Sequence, residues 1–135
     1  MPRSLTDFEL VRLARDLGLR AVVLKNHHTM TADRAQIVMA EMGAIMECPW
    51  LTHFSGAAGA INFGKLVPVN EGARLIQSVG AEHFIITSDF GQEGNPRHPD
   101  GMRAFMAALL EAGLTSAEID LVARRNPARL LGLEP

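Results

Sequence analysis

The chain has 135 residues, 47% hydrophobic and 21% charged. That reads as one globular domain over 1–135, with no apolar run near the roughly 18–20 residues of a membrane span. Thirteen Lys and Arg against fifteen Asp and Glu leave a formal charge of −2, and Arg124-Arg125 is the one adjacent cationic pair. Neither nucleic acid nor a membrane surface is therefore an expected partner, and a complete (β/α)₈ barrel, which takes at least ~200 residues, does not fit.

In chain order, Leu10, Leu13, Ala14 and Leu17 fall at helical spacing and predict a core helix that stops at Gly18. Ala21–Leu24 is a continuous apolar run, as in a strand covered on both faces. Thr31 is placed to cap a helix over Ala32–Glu41, ending at Gly43, and Ala44–Met46 is a short second strand. Pro49–Pro68 is the least patterned stretch, with small residues over Ser55–Ala60 that suit a loop or a close backbone approach.

A helix over about Asn70–Val79 stops at Gly80 and is followed by the strand Phe84–Thr87. The loop Ser88–His98 leads to a helix over about Pro99–Glu111, ending at Gly113. Thr115-Ser116-Ala117-Glu118 is a capping box, and Asn126-Pro127 reads as cap and first residue of a last turn. The serial helix–Gly–strand units give an α/β fold with about three parallel strands flanked by helices. Cys48 is the one cysteine and reads as a small buried hydrophobe. Met1-Pro2-Arg3-Ser4 lacks the apolar stretch of a secretory signal, so the cytoplasm is the expected compartment.

In a parallel sheet the strand-to-helix loops emerge on one edge. Here that edge collects Lys25-Asn26-His27-His28, then Glu47-Cys48-Pro49-Trp50 with His53 nearby, then Ser88-Asp89-Phe90-Gly91-Gln92. Lys, His, Glu and Asp on one rim are the types that bind a divalent ion or move a proton. The plainer reading gives each a local structural role, in which Asp89 caps a turn, Lys25 is solvated or paired with a carboxylate, and Glu47 supports a strand end. His53, His83 and His98 read as structural or exposed. Glycine-rich nucleotide signatures and a G-x-S-x-G elbow are absent from the sequence.

Ile86-Thr87-Ser88-Asp89-Phe90-Gly91-Gln92, Pro99-Asp100-Gly101-Met102 and Asn126-Pro127-Ala128-Arg129-Leu130-Leu131-Gly132-Leu133 carry a resemblance. Residues 84–133 resemble the end of an amidohydrolase-superfamily barrel, and the combination is most similar to an amidohydrolase-like family of unknown function. Segments similar to Gly18–His27 and to Thr31-x-x-Arg34-Ala35 belong to the same pattern. The resemblance implies a partial TIM-barrel-like unit in which Asp89 is metal ligand and proton shuttle. One of His27 and His28 would be a further ligand, Lys25 and Glu47 auxiliary catalytic groups, and the ion a divalent metal, zinc first.

One departure stands out: the superfamily's first-strand His-x-His pair is missing, and His27-His28 is adjacent rather than alternating. Neighbouring strand residues point to opposite faces, so the two patterns are not equivalent. The expectation is therefore a fragment or shortened relative of a metal-dependent hydrolase acting on small amide or ester substrates. The rival expectation is a non-catalytic half-barrel that covers its open strand edges by forming a homo-oligomer. A weaker third reading uses Lys25 and the Thr31 helix start as an anion site.

Overall fold

The computed structural model describes residues 6–19, 22–25, 40–50, 67–91 and 93–133. The first helix, α1, spans Asp7–Asp16. Thr6 opens it with a reciprocal cap: its Oγ1 accepts from the Glu9 N–H, and the Glu9 carboxylate accepts from the Thr6 N–H at 2.8 Å. Gly18, at φ +74, closes it as the sequence predicts, while the Gly18 and Leu19 amides return to the carbonyls of Arg15 and Ala14.

The apolar stripe of α1 is not its buried face. Leu10 and Leu13 are over two-fifths exposed and Leu17 is 70% exposed, whereas Val11 is fully buried. Arg15, one turn beyond Val11, donates to the Met42 carbonyl. The helix is thus held to the rest of the fold along its 11–15 edge, and the leucines turn outward.

Three strands form the sheet: β1 (Val22–Lys25), β2 (Ala44–Pro49) and β3 (Phe84–Thr87), all parallel and in the order β1-β2-β3. The α/β class with three parallel strands is as expected, and β3 has the expected bounds. β2 is twice as long as its apolar run suggests, because Glu47, Cys48 and Pro49 continue the pairing, with Glu47 opposite Ile85 and Pro49 opposite Thr87. Burial alternates along β2 and β3: Ala44, Met46, Cys48, Phe84 and Ile86 are buried, while Ile45, Glu47, Ile85 and Thr87 are half-buried. The expected helix over Ala32–Glu41, apart from its end, and residues 51–66 of the expected loop lie outside the described residues.

After α2 (Val69–Val79), Gly80 at φ +113 turns the chain into a single 3₁₀ turn, Ala81–His83, that feeds β3. α3 follows over His98–Glu111, with Pro99 at its start, where the missing N–H costs nothing. The Thr115–Glu118 capping box is present and opens α4 (Ser116–Asp120). A π turn, Leu121–Arg125, then runs straight into α5 (Asn126–Leu130).

Asn126 is consequently not a cap. It has helical angles, lies inside a continuous helical run and is 2% exposed. Its Nδ2 donates to the carbonyls of Ala81 at 2.8 Å and Phe84 at 2.7 Å, which fixes α5 against the start of β3. The π turn is what makes room: the Asn126 N–H bonds to Leu121, five residues back, so the register is already shifted where Pro127 removes a donor.

The core gathers on the helix side of the sheet, where Phe84, Phe105, Met46, Ile76, Leu109, Val11 and Val122 are fully buried. Trp50, just beyond β2, stacks on Phe105 of α3 with ring centroids 4.8 Å apart. Burying side chains of this size stabilises by roughly 1.5–3 kcal/mol each. No helix among the described residues is long and apolar enough to cross a membrane.

Candidate functional site

Parallel pairing brings the C-terminal ends of β1, β2 and β3 to one edge. Lys25 is the last residue of β1 and stands in register with Glu47 of β2, so neither residue is in a loop. Glu47 falls inside its strand because its carboxylate has a partner there: Thr87 Oγ1 donates to Glu47 Oε1 at 2.7 Å. A half-buried carboxylate so engaged is tolerated within a strand, since the hydrogen bond offsets its desolvation. His27, His28 and His53 lie outside the described residues.

Asp89 is two residues past the end of β3 and half-buried. At φ +52 it is the one non-glycine residue with a left-handed backbone among those described. Such a conformation costs an ordinary residue about 1 kcal/mol or more, although Asp tolerates it better than most.

On either side of Asp89 the chain is held. Ser88 Oγ lies 2.6 Å from His98 Nδ1 and accepts from the Phe90 N–H at 3.3 Å. Ser88 is buried, whereas His98, the first residue of α3, is exposed. Phe90 is buried against Gly101 of α3: a Cβ at Gly101 would stand 2.6 Å from ring atom Cδ2 and nearer still to Cε2. Sequence reading missed the roles of Ser88, His98 and Gly101. The available signal was the Ser-Asp-Phe run followed, eight residues after Phe90, by His-Pro-Asp-Gly.

His83, the other histidine among the described residues, is elsewhere. His83 precedes β3 at the opposite end of the sheet, with Nε2 3.7 Å from Glu82. Cys48 is inert by position: burial first, and the neighbouring Glu47 charge second, push its thiol up to about 12. Among the described residues no three His, Cys, Asp or Glu side chains converge as a metal centre. The carboxylates of Glu47 and Asp89 are suitable oxygen donors for a divalent ion, but on their own they do not make up a closed donor set.

Residues 1–58 match the model of a family of unknown function, DUF6282. The matched stretch holds β1 and β2, and with them Lys25, His27, His28 and Glu47; β3 and Asp89 lie beyond it. No curated protein and no solved structure matches the chain.

Proposed function

We propose that this chain is a hydrolase-like unit of amidohydrolase type, acting on amide or ester bonds of a small substrate at the C-terminal edge of its sheet. The observation that carries the reading is Asp89: a half-buried carboxylate just past the last strand, in a left-handed backbone conformation. Strain of that kind concentrates at functional positions because the surroundings must enforce it. The match to a family of unknown function is compatible with this ancestry.

In this reading Asp89 takes the proton from an attacking water and returns it to the leaving group. Lys25, in register with Glu47, is the auxiliary cation, and Glu47 holds the β2–β3 rim through Thr87. A divalent ion, zinc first, would be held by Asp89 together with His27 or His28, and would supply a Lewis acid. Among the described residues its donor set is incomplete. The cytoplasm is the proposed compartment.

Zn²⁺ titration by calorimetry and thermal unfolding tests the reading. The parent is expected to take up the ion and gain thermal stability, and Asp89→Ala to lose both responses. A parent that shows no heat and no shift overturns it.

A second reading has its own observation. β1 is an edge strand of the described sheet, and Val23 on it is 45% exposed, next to an α1 whose leucines face outward. A non-catalytic module that self-associates through this edge would be a stable dimer by light scattering, with Val23→Lys monomeric.

A further inference from the structure

Among the described residues, Asp89 is the one non-glycine residue at the strand-end rim with a left-handed backbone. Between two ordinary loop neighbours, the left-handed well would be a minor state for an aspartate. Two separate anchors flank it. On the N-terminal side, Ser88 is fixed by His98, with 2.6 Å between Oγ and Nδ1. On the C-terminal side, Phe90 is fixed by its burial over Gly101. The Phe90 N–H to Ser88 Oγ bond then closes a tight turn with Asp89 at its centre.

The hydrogen-bond pattern assigns His98 its part. Ser88 Oγ already accepts from the Phe90 N–H, so its own proton is free to be donated. When the imidazole carries its proton on Nε2, Nδ1 accepts the hydroxyl proton across the 2.6 Å contact. With His98 in place, the Ser88 hydroxyl has one orientation, and that orientation keeps a lone pair on the Phe90 amide. Without an acceptor at that position, the hydroxyl rotates, the Phe90 bond loosens, and Asp89 can relax to negative φ. His98 also sits in the first turn of α3, three residues before Gly101, so one rigid helix turn carries both anchors.

We infer that His98 is a positioning residue for Asp89, acting through the Ser88 hydroxyl to hold the left-handed backbone that presents the carboxylate at the rim. The inference deepens the proposed hydrolytic reading and rests on it for its purpose, but the backbone effect can be read without any activity.

The test uses the full chain and two substitutions at one exposed position. His98→Leu removes the acceptor. His98→Asn restores it, because Asn Oδ1 is attached to Cγ just as His Nδ1 is. The readouts are the Asp89 intraresidue HN–Hα cross-peak, which is strong when φ is positive because the two protons come close, and Zn²⁺ affinity.

His98→Leu is expected to lose the strong cross-peak while amide signals of β2 and α4 stay in place, and to bind Zn²⁺ about 10- to 100-fold more weakly, the usual cost of removing a supporting partner. His98→Asn is expected to restore both. An Asp89 signature that survives in His98→Leu overturns the inference, as does a loss that His98→Asn fails to reverse. If the parent binds no Zn²⁺ yet the cross-peak responds as described, the positioning role stands and the metal-dependent reading falls.

Discussion

Asn126→Asp is the substitution with the most to say about how α5 is fastened to the sheet. It preserves shape and removes both protons that Nδ2 donates to the carbonyls of Ala81 and Phe84, at 2.8 and 2.7 Å. In their place an oxygen faces two carbonyl oxygens at a site 2% exposed. An ionised carboxylate has no compensation there, so the folded chain keeps the carboxyl protonated and donates to one carbonyl only. The lost hydrogen bond costs about 1 kcal/mol. In the unfolded chain the same group ionises near ~3.9, and each pH unit above that value adds about 1.4 kcal/mol to the cost of folding.

At pH 7 the protonation cost approaches about 4 kcal/mol, a large share of the roughly 5–15 kcal/mol that holds a domain together. The folded-state pKa is raised, so the variant's stability is fully present below the unfolded value and is lost as pH rises. Urea unfolding of parent and variant between pH 4 and 7, followed by far-UV circular dichroism and by Trp50, which is 8% exposed, measures the gap. It is expected to widen by about 1.4 kcal/mol per pH unit. Asn126→Leu, which has nothing to titrate, should leave a gap that does not change with pH. A flat gap for Asn126→Asp refutes the assignment of the side chain to those two carbonyls.

Gly101→Ala drives a methyl group into the Phe90 ring and is expected to destabilise by about 1–3 kcal/mol in urea unfolding, as overpacking does; a variant as stable as the parent would mean that the ring is not seated there. The Cys48 thiol, pushed up to about 12, should be inert to a disulfide reagent at pH 8 and react only as urea unfolds the chain; prompt modification of the folded protein contradicts its burial. Thr115→Ala removes the side-chain acceptor of the Glu118 amide and should cost about 1 kcal/mol by thermal unfolding, with Thr115→Ser recovering most of it.

The elements that sequence reading placed well are those with local punctuation. Gly18 and Gly80 take up left-handed angles that end helices, and Thr115 and Glu118 bond to each other within four residues, so no distant information is needed. The misplacements all depend on partners far along the chain. β2 extends past its apolar run because Glu47 meets Thr87, forty residues away. Asn126 resembles a cap until the carbonyls of Ala81 and Phe84, more than forty residues back, claim its amide. The α1 leucines have the spacing of a core stripe, but spacing gives only the existence of a face, and Val11 with Arg15 determines which face the fold uses. At the rim, the type and position of Asp89 were legible; the left-handed backbone and the Ser88–His98 contact were not, because a backbone angle leaves no mark in residue type and the contact needs His98 of α3, ten residues on.

Thr87 and Ser88 explain why the exit of β3 can hold a strained residue. As neighbours where an extended strand ends, they point to opposite faces. Thr87 bonds across the sheet to Glu47, and Ser88 bonds to His98 of α3. A chain gripped on both faces at consecutive residues cannot roll about its own axis without giving up one of the two bonds, so whatever follows leaves at a fixed angle. Phe90 then fixes the far side by packing on Gly101. The Glu47 carboxylate forms part of this grip, which is a reason to assign it a supporting role. On the proposed hydrolytic reading, Asp89, which the grip delivers, is the residue that carries the chemistry at this edge.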